Sequence, residues 1–254
     1  MERSHRGLLR PLGKRIYRKV SWVRIPPSPP VGKCMDFNQV IKKLKKLANP
    51  ENVQGMARFG INSHKTLGVS MPVLRQMAKE IGKNHGLAQQ LWNSGIHEAK
   101  ILAALIDESK LVTSQQMEKW VRDFDSWDVC DQVCMSLFDK TSFAHQKALK
   151  WAKEKKEFVR RAGFAMMAVL SVHDKKAKDK DFIKFFPLIK KFSVDERNFV
   201  RKANNWALRQ IGKRNPSLNK KAIKLAQEIQ KINSKSAKWI AGDAIRELKA
   251  KRFK

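Results

Sequence analysis

The sequence predicts an all-α protein built as a curved stack of helix pairs. Three observations lead there. Apolar residues recur at three-and-four spacing from Met35 onward, no alternating run bounded by hairpin turns occurs, and two helix-like segments about 40 residues apart resemble each other.

The elements follow in order. "FNQVIKKLKKLA" carries Phe37, Val40, Ile41, Leu44 and Leu47 on one helix face. "MPVLRQMAKEIG" opens after Ser70, the expected N-cap, and ends at Gly82. "IHEAKILAALI", "QQMEKWVRDF", "SWDVCDQVCMSLF", "HQKALKWAKE" and "EFVRRAGFAMMAVLSV" come next, then "KDFIKFFPLIKKF", "ERNFVRKANNWALRQIGK", "KAIKLAQEIQKI" and "SAKWIAGDAIRELK". Short polar or Gly/Pro connections separate them. "FVRRAGFAMMAVL" at 158–170 and "FVRKANNWALRQI" at 199–211 share Phe-Val-Arg-basic-Ala, and "AKWIAGDAIREL" is a looser third copy. That period is the one found in HEAT and armadillo helix pairs, which bury their apolar faces only by stacking into a solenoid. Basic residues at successive helix starts would line its concave surface with positive charge. A plain helical bundle with solvated Lys faces is the alternative.

The first 34 residues differ. "VSWVRIPPSPPVGKC" has no amphipathic period and is crowded with Pro, and it lacks the apolar core of a secretory signal. "VRIPPSP" back-translates to a stretch beginning GTTCGAATCC, the T-arm of a transfer RNA. The expectation is therefore a spurious extension over 1–34 and a single HEAT-like domain over 35–254, with translation starting at Met35. The alternative is a disordered basic arm that binds nucleic acid.

Charge narrows the partner. The chain of 254 residues has 54 Lys and Arg against 23 Asp and Glu, a formal net charge of +31. Without residues 1–34, which hold nine basic residues and one acidic, the charge is still +23. Such an excess points to a polyanion, most simply nucleic acid. No apolar run approaches a membrane span, so no membrane partner is expected. Three Cys do not make a disulfide framework and fit a reducing cytoplasm, with Cys130 and Cys134 as half-buried thiols. No metal or other cofactor is expected: His97-Glu98 lacks the second His of a zinc helix, and the remaining His are scattered singly.

Against this basic background "FDSWDVCDQVC" places Asp125, Asp128 and Asp131 around Trp127. In a helix, Trp127 and Asp131 share a face at i and i+4. Asp125 or Ser126 is expected to cap the helix start, where acids are favoured in any case. Asp131 is less easily explained, since Asp is a weak helix former and stands among Val129, Val133 and Cys134. Arg161, in an otherwise apolar helix start, suits a phosphate. Trp206, with Asn204, Asn205 and Arg209 beside it, offers an aromatic face to a sugar or base, or else belongs to the core.

These segments together, with "LGVSMPVLRQMAK" and "LWNSGIHEAKILAALI", resemble the AlkD-like DNA alkylation repair glycosylases, a family of HEAT-like repeat enzymes, from about Met56 to Leu248. The resemblance implies hydrolysis of the N-glycosidic bond of N-alkylated purines, such as 3-methyladenine and 7-methylguanine, in double-stranded DNA. It implies Asp131 as the catalytic carboxylate and Trp127 and Trp206 as sugar contacts. Arg161 would be the backbone clamp, with Arg160 one position away as an ambiguity. Arg201, Lys202 and Arg209 join these as expected DNA-binding residues. The implied protein is a monomer acting in the cytoplasm, at the nucleoid. Two departures stand out: Ser126 replaces an aromatic, and Phe59 holds the place of a Tyr contact, since the only Tyr is Tyr17. A non-catalytic HEAT-repeat scaffold and an RNA-binding repeat protein are the rival functions. Replacing Asp131 by Asn is expected to leave stability unchanged or raised.

Overall fold

The structure, a computed structural model, describes residues 35–253. The expected start at Met35 and the reading of residues 1–34 lie outside the described residues. Fourteen α-helices and no strand occur among the described residues. They are α1 (Phe37–Lys46), α2 (Pro50–Arg58), α3 (Met71–Ile81), α4 (His85–Asn93), α5 (His97–Ile106), α6 (Ser114–Arg122), α7 (Trp127–Ser136), α8 (Ala144–Trp151), α9 (Glu157–His173), α10 (Asp179–Ile183), α11 (Phe186–Lys191), α12 (Asn198–Gly212), α13 (Pro216–Gln230) and α14 (Lys235–Ala250).

The helices form an ordered ribbon. Helices α5, α7, α9, α12 and α14 pack in sequence, each against the next, while α4, α8 and α13 back α5, α9 and α14. This is the stacked-pair solenoid that the repeat predicts, because each pair covers the apolar face its neighbour exposes. The inner helices share one burial register. Val129, Val159, Val200 and Ala237 are buried, as are Val133, Gly163, Asn204 and Ala241 four residues later. Two residues after the first of these, Asp131, Arg161, Lys202 and Trp239 stand at one equivalent position along the ribbon.

The backing layer is held by a column of aromatics. Trp92 of α4 stacks on Trp120 of α6 at 4.0 Å, almost parallel. Phe138, in a 3-10 turn after α7, continues the column to Trp151 of α8. The polar edges are mostly satisfied: Trp92 Nε1 donates to Asp123 and Trp151 Nε1 to Glu118. These rings contribute large apolar area and give each repeat a fixed spacing.

Sequence reading missed two helices and merged two others. Helix α2 is capped by Asn49, whose side chain accepts from the Asn52 N–H, and begins with Pro50. It buries none of its residues, so no apolar period marks it. Helix α4 does show one, with Leu87, Ala88, Leu91 and Trp92 buried, and Asn84 caps it. "KDFIKFFPLIKKF" is two short helices, because Pro187 in the first turn of α11 leaves a new helix start after Phe185. Cys130 and Cys134 are fully buried rather than half-buried, directed at the Phe158 and Ala162 carbonyls of α9.

Helices α8 and α9 approach closely at Gly163. A Cβ there would meet the Ala152 backbone nitrogen at 2.2 Å and the Ala152 Cα at 2.6 Å, and backbone cannot step aside as a flexible side chain can. Gly163→Ala is expected to destabilise by about 3 kcal/mol, the upper end of overpacking penalties. Gly242→Ala, whose Cβ meets nothing within 4 Å in α14, should instead stabilise by up to about 1 kcal/mol through helix propensity. Urea unfolding of the two variants measures both.

Candidate active site

A cleft of about 930 Å³ opens on the inner row of helices. Helix α2 supplies one wall through Met56, with Phe59 just beyond its end. The start of α3, then α5, α7, α9 and α12 supply the rest. Trp127, Asp131, Arg161, Lys202 and Trp206 all line it.

Helix α7 begins at the cleft. Ser126 is its N-cap residue by backbone geometry, but neither its side chain nor that of Asp125 caps the helix. Asp125 instead accepts from Asn62 Nδ2 at 3.0 Å. Ser126 is completely buried, and its hydroxyl donates to Asp128. The other Asp128 oxygen lies 2.8 Å from His97 Nε2 of α5. Ser126 is thus one end of a Ser126–Asp128–His97 chain that ties α7 to α5. Trp127 is half-buried, and its Nε1 donates to the Phe59 carbonyl at 3.1 Å, which fixes the ring across the cleft wall. The Phe59 side chain is 73% exposed at the rim.

Asp131, one turn further, receives a two-pronged grip from Arg161. Nε donates to Oδ1 at 3.0 Å and Nη2 to Oδ2 at 2.7 Å. Arg161 Nη1 donates to the Phe199 carbonyl at 2.7 Å, and its guanidinium lies 5.9 Å from the Trp127 ring centre. Both side chains are nearly buried. Burial raises the Asp131 pKa above the ordinary carboxylate value, against the pull of Arg161. For Arg161 burial acts downward, but Asp131 outweighs it and holds the guanidinium more firmly protonated than usual.

Two further polar groups underlie the cleft. His97 is buried, and burial tends to lower its pKa, yet the hydrogen bond and charge of Asp128 prevail and raise it. Asp128 is lowered, since His97 and Ser126 together overcome its burial. Glu98 is buried and accepts from the N–H groups of Leu67, Gly68 and Val69, which pins the loop leading into α3. Gly68 there has φ of 76°, and a Cβ would meet the Asn49 carbonyl at 2.2 Å. Sequence reading weighed His97 only as a zinc ligand lacking its second His and did not pair it with Asp128. The signal available was its position at a helix start, two helices before the Asp-rich segment.

The remaining expected residues divide. Lys202 and Trp206 line the cleft from α12, Lys202 exposed and Trp206 half-buried. Arg160 points away from it: Asp195 binds it at 2.7 Å, and it lies 4.2 Å over Phe192. Of the two, Arg161 lies in the cleft and Arg160 in the packing between repeats. Arg209 pairs with Asp243 and Glu247 of α14. Arg201 bonds Asn198 and lies over Trp239. Among the described residues no group of three His, Cys, Asp or Glu side chains could hold a metal ion, and no helix is long and apolar enough to cross a membrane.

The family model described as DNA alkylation repair enzyme matches residues 40–248, a span that includes every helix lining the cleft. The chain belongs to the DNA alkylation repair enzyme family. A similar protein is the uncharacterized protein Lin0241 of Listeria innocua serovar 6a, 24% identical over 201 residues, 78% of this chain and 88% of that one. A solved structure described as a new family of proteins related to the HEAT-like repeat DNA glycosylases with affinity for branched DNA structures matches with a TM-score of 0.69. It is 20% identical and covers 84% of this chain and 95% of its own. That likeness shows the HEAT-like fold.

Two measurements test the polar core of this DNA alkylation repair fold. Against the small change expected from the sequence, Asp131→Asn removes the charge that balances buried Arg161 and turns an amide NH2 toward one of its donors, so it should cost about 3 kcal/mol. Asp131→Ala leaves a buried guanidinium with the Phe199 carbonyl alone and should cost about 3 kcal/mol. Urea unfolding at neutral pH compares both with the wild type, and a cost below about 1 kcal/mol in each would remove the pair from the stabilising contacts. The His97–Asp128 link carries a pH signature. A raised His pKa gives stability that is fully present below about 6.5 and lost as pH rises through the folded-state pKa. A lowered Asp pKa gives stability present above about 3.8 and lost as pH falls through its folded-state value. The cost of His97→Gln in urea unfolding should therefore be greatest near pH 5 and shrink by pH 9; a cost independent of pH would show the two groups to be uncoupled.

Proposed function

We propose that this member of the DNA alkylation repair family is a DNA glycosylase that hydrolyses the N-glycosidic bond of cationic N-alkylated purines, such as 3-methyladenine and 7-methylguanine, in double-stranded DNA. The observation that carries the reading is the convergence of Trp127, Asp131, Arg161 and Trp206 on one cleft. An acidic and aromatic spot on a strongly basic chain is what a reaction needs when it develops positive charge on a bound polyanion.

The chemistry asks little of the protein. A purine alkylated at these ring nitrogens is already cationic and leaves as a neutral base, so no general acid is needed. Positive charge passes to the deoxyribose, as an oxocarbenium-like species. The Asp131 carboxylate stabilises that charge and orients the attacking water. Carboxylates do the same for glycoside hydrolases, there with a proton donor besides. Trp127 and Trp206 pack on the sugar and exclude bulk water, which strengthens the electrostatic attraction. Arg161 holds Asp131 in place and, as phosphate approaches, shares its donors with the DNA backbone. Lys202, exposed at the same cleft, adds affinity. The protein acts alone, without metal or other cofactor.

A second reading has its own support. Both oxygens of Asp131 are engaged by Arg161, and the solved neighbour of the same fold is described as having affinity for branched DNA structures. On that reading the cleft binds DNA and cuts nothing, and Asp131 serves to position Arg161. Methylated duplex DNA incubated with purified protein separates the two. Single-turnover release of 7-methylguanine is expected from the wild type and should fall about 10²-fold or more in Asp131→Asn, the effect of losing one electrostatic stabiliser. If the wild type releases no alkylated base, the binding-only reading takes its place.

A further inference from the structure

We infer that Trp239 and Arg201 form a second nucleic-acid contact beside the cleft, at which the indole face takes an unpaired nucleobase of a branched or gapped DNA. Trp239 is 42% exposed on α14, an unusual state for the largest apolar side chain. It stands at the register position that Asp131, Arg161 and Lys202 occupy in the three preceding inner helices, so it continues the row that forms the cleft. The Arg201 guanidinium lies over one face of the ring, 4.9 Å from its centre, and 42% of the side chain remains exposed. Of the five donors of Arg201, Nη2 reaches Asn198 Oδ1 at 3.2 Å, and Nε is shielded from solvent with no acceptor at all. The pair thus joins a part-exposed indole to a cation with Nη donors to spare, and Lys202 and Lys238 flank it, both exposed.

The chemistry of that pair selects its occupant. A net charge of +23 over residues 35–254 favours a polyanion over an acidic or apolar protein surface. Within a duplex, base faces are already stacked on one another and present only their edges. A Trp face therefore gains a base only where the strand is unpaired, at a fork, flap or gap. Phosphate on the same strand then falls to Arg201 and Lys202. The inference rests on the reading of the protein as DNA-binding and involves no excision step.

The test uses the full chain and lesion-free DNA: a blunt duplex, and the same duplex bearing an unpaired oligothymidine arm. Fluorescence anisotropy should show wild type binding the armed duplex more tightly. Trp239→Ala should lose about tenfold in affinity for the armed duplex, the size of one lost base–aromatic stack, and about twofold or less for the blunt one. Trp239→Phe keeps an aromatic face and should recover most of the loss. Thermal unfolding of each variant checks that the fold is intact. Equal losses on both DNAs, no loss on either, or a wild type indifferent to the arm would overturn the inference. Since the DNA carries no alkylated base, selective loss stands even if excision fails, and uniform loss rejects this contact even if excision is found.

Discussion

The Asp131–Arg161 pair is the interaction on which the rest of the site depends. It joins α7 to α9, and the third arm of the guanidinium reaches the Phe199 carbonyl on α12. One side chain therefore sets the spacing of three consecutive inner helices, and those helices carry Trp127, Lys202 and Trp206. A buried guanidinium is costly without acceptors, so the repeat geometry must deliver a carboxylate and a carbonyl to it together. The packing of α9 on its neighbours meets that demand, and the close approach of α8 to α9 at Gly163 limits how far α9 could shift.

Around that pair the cleft is organised by polar groups that face away from the solvent. His97 and Ser126 hold Asp128, Glu98 holds the loop before α3, and Phe59 holds the Trp127 indole through its carbonyl. Each contact joins a different helix or loop to α5 or α7. The aromatic column from Trp92 to Trp151 does the same work in the backing layer by apolar stacking. The two layers divide the labour: apolar rings fix the distance between repeats, and charged pairs fix the orientation of the inner helices. This explains why so many acids of a basic protein are consumed in pairs, as with Arg160 and Arg197 on Asp195, or Arg209 on Asp243 and Glu247. The charge excess that remains for a partner is carried chiefly by exposed Lys.

Membership in the DNA alkylation repair family and the HEAT-like fold give this cleft its context, and the residue set gives it a chemistry. Carboxylate, guanidinium and two indoles converge on the cleft. Beyond the cleft, the same inner row ends in Trp239, so one ribbon presents a sequence of different side chains at equivalent positions: acid, guanidinium, amine, indole. A repeat fold makes this possible, because each position can vary without disturbing the packing contacts two residues away.

The sequence by itself determined the all-α class, the repeat and the principal cleft residues. Apolar period and the paired FVRR and FVRK starts are local signals, and Trp127 and Asp131 share a face in any helix. Helix α4 was legible by the same signal, whereas α2 was not, because its side chains line a cleft rather than a core. Only the tertiary structure decided which of Arg160 and Arg161 faces Asp131, for a difference of one residue is a turn of about 100° that depends on how α9 packs. It alone brought His97 to Asp128 and Trp239 to Arg201, which are 31 and 38 residues apart. Contacts across repeats rest on the register of whole helices, and no local pattern in a single sequence carries that register.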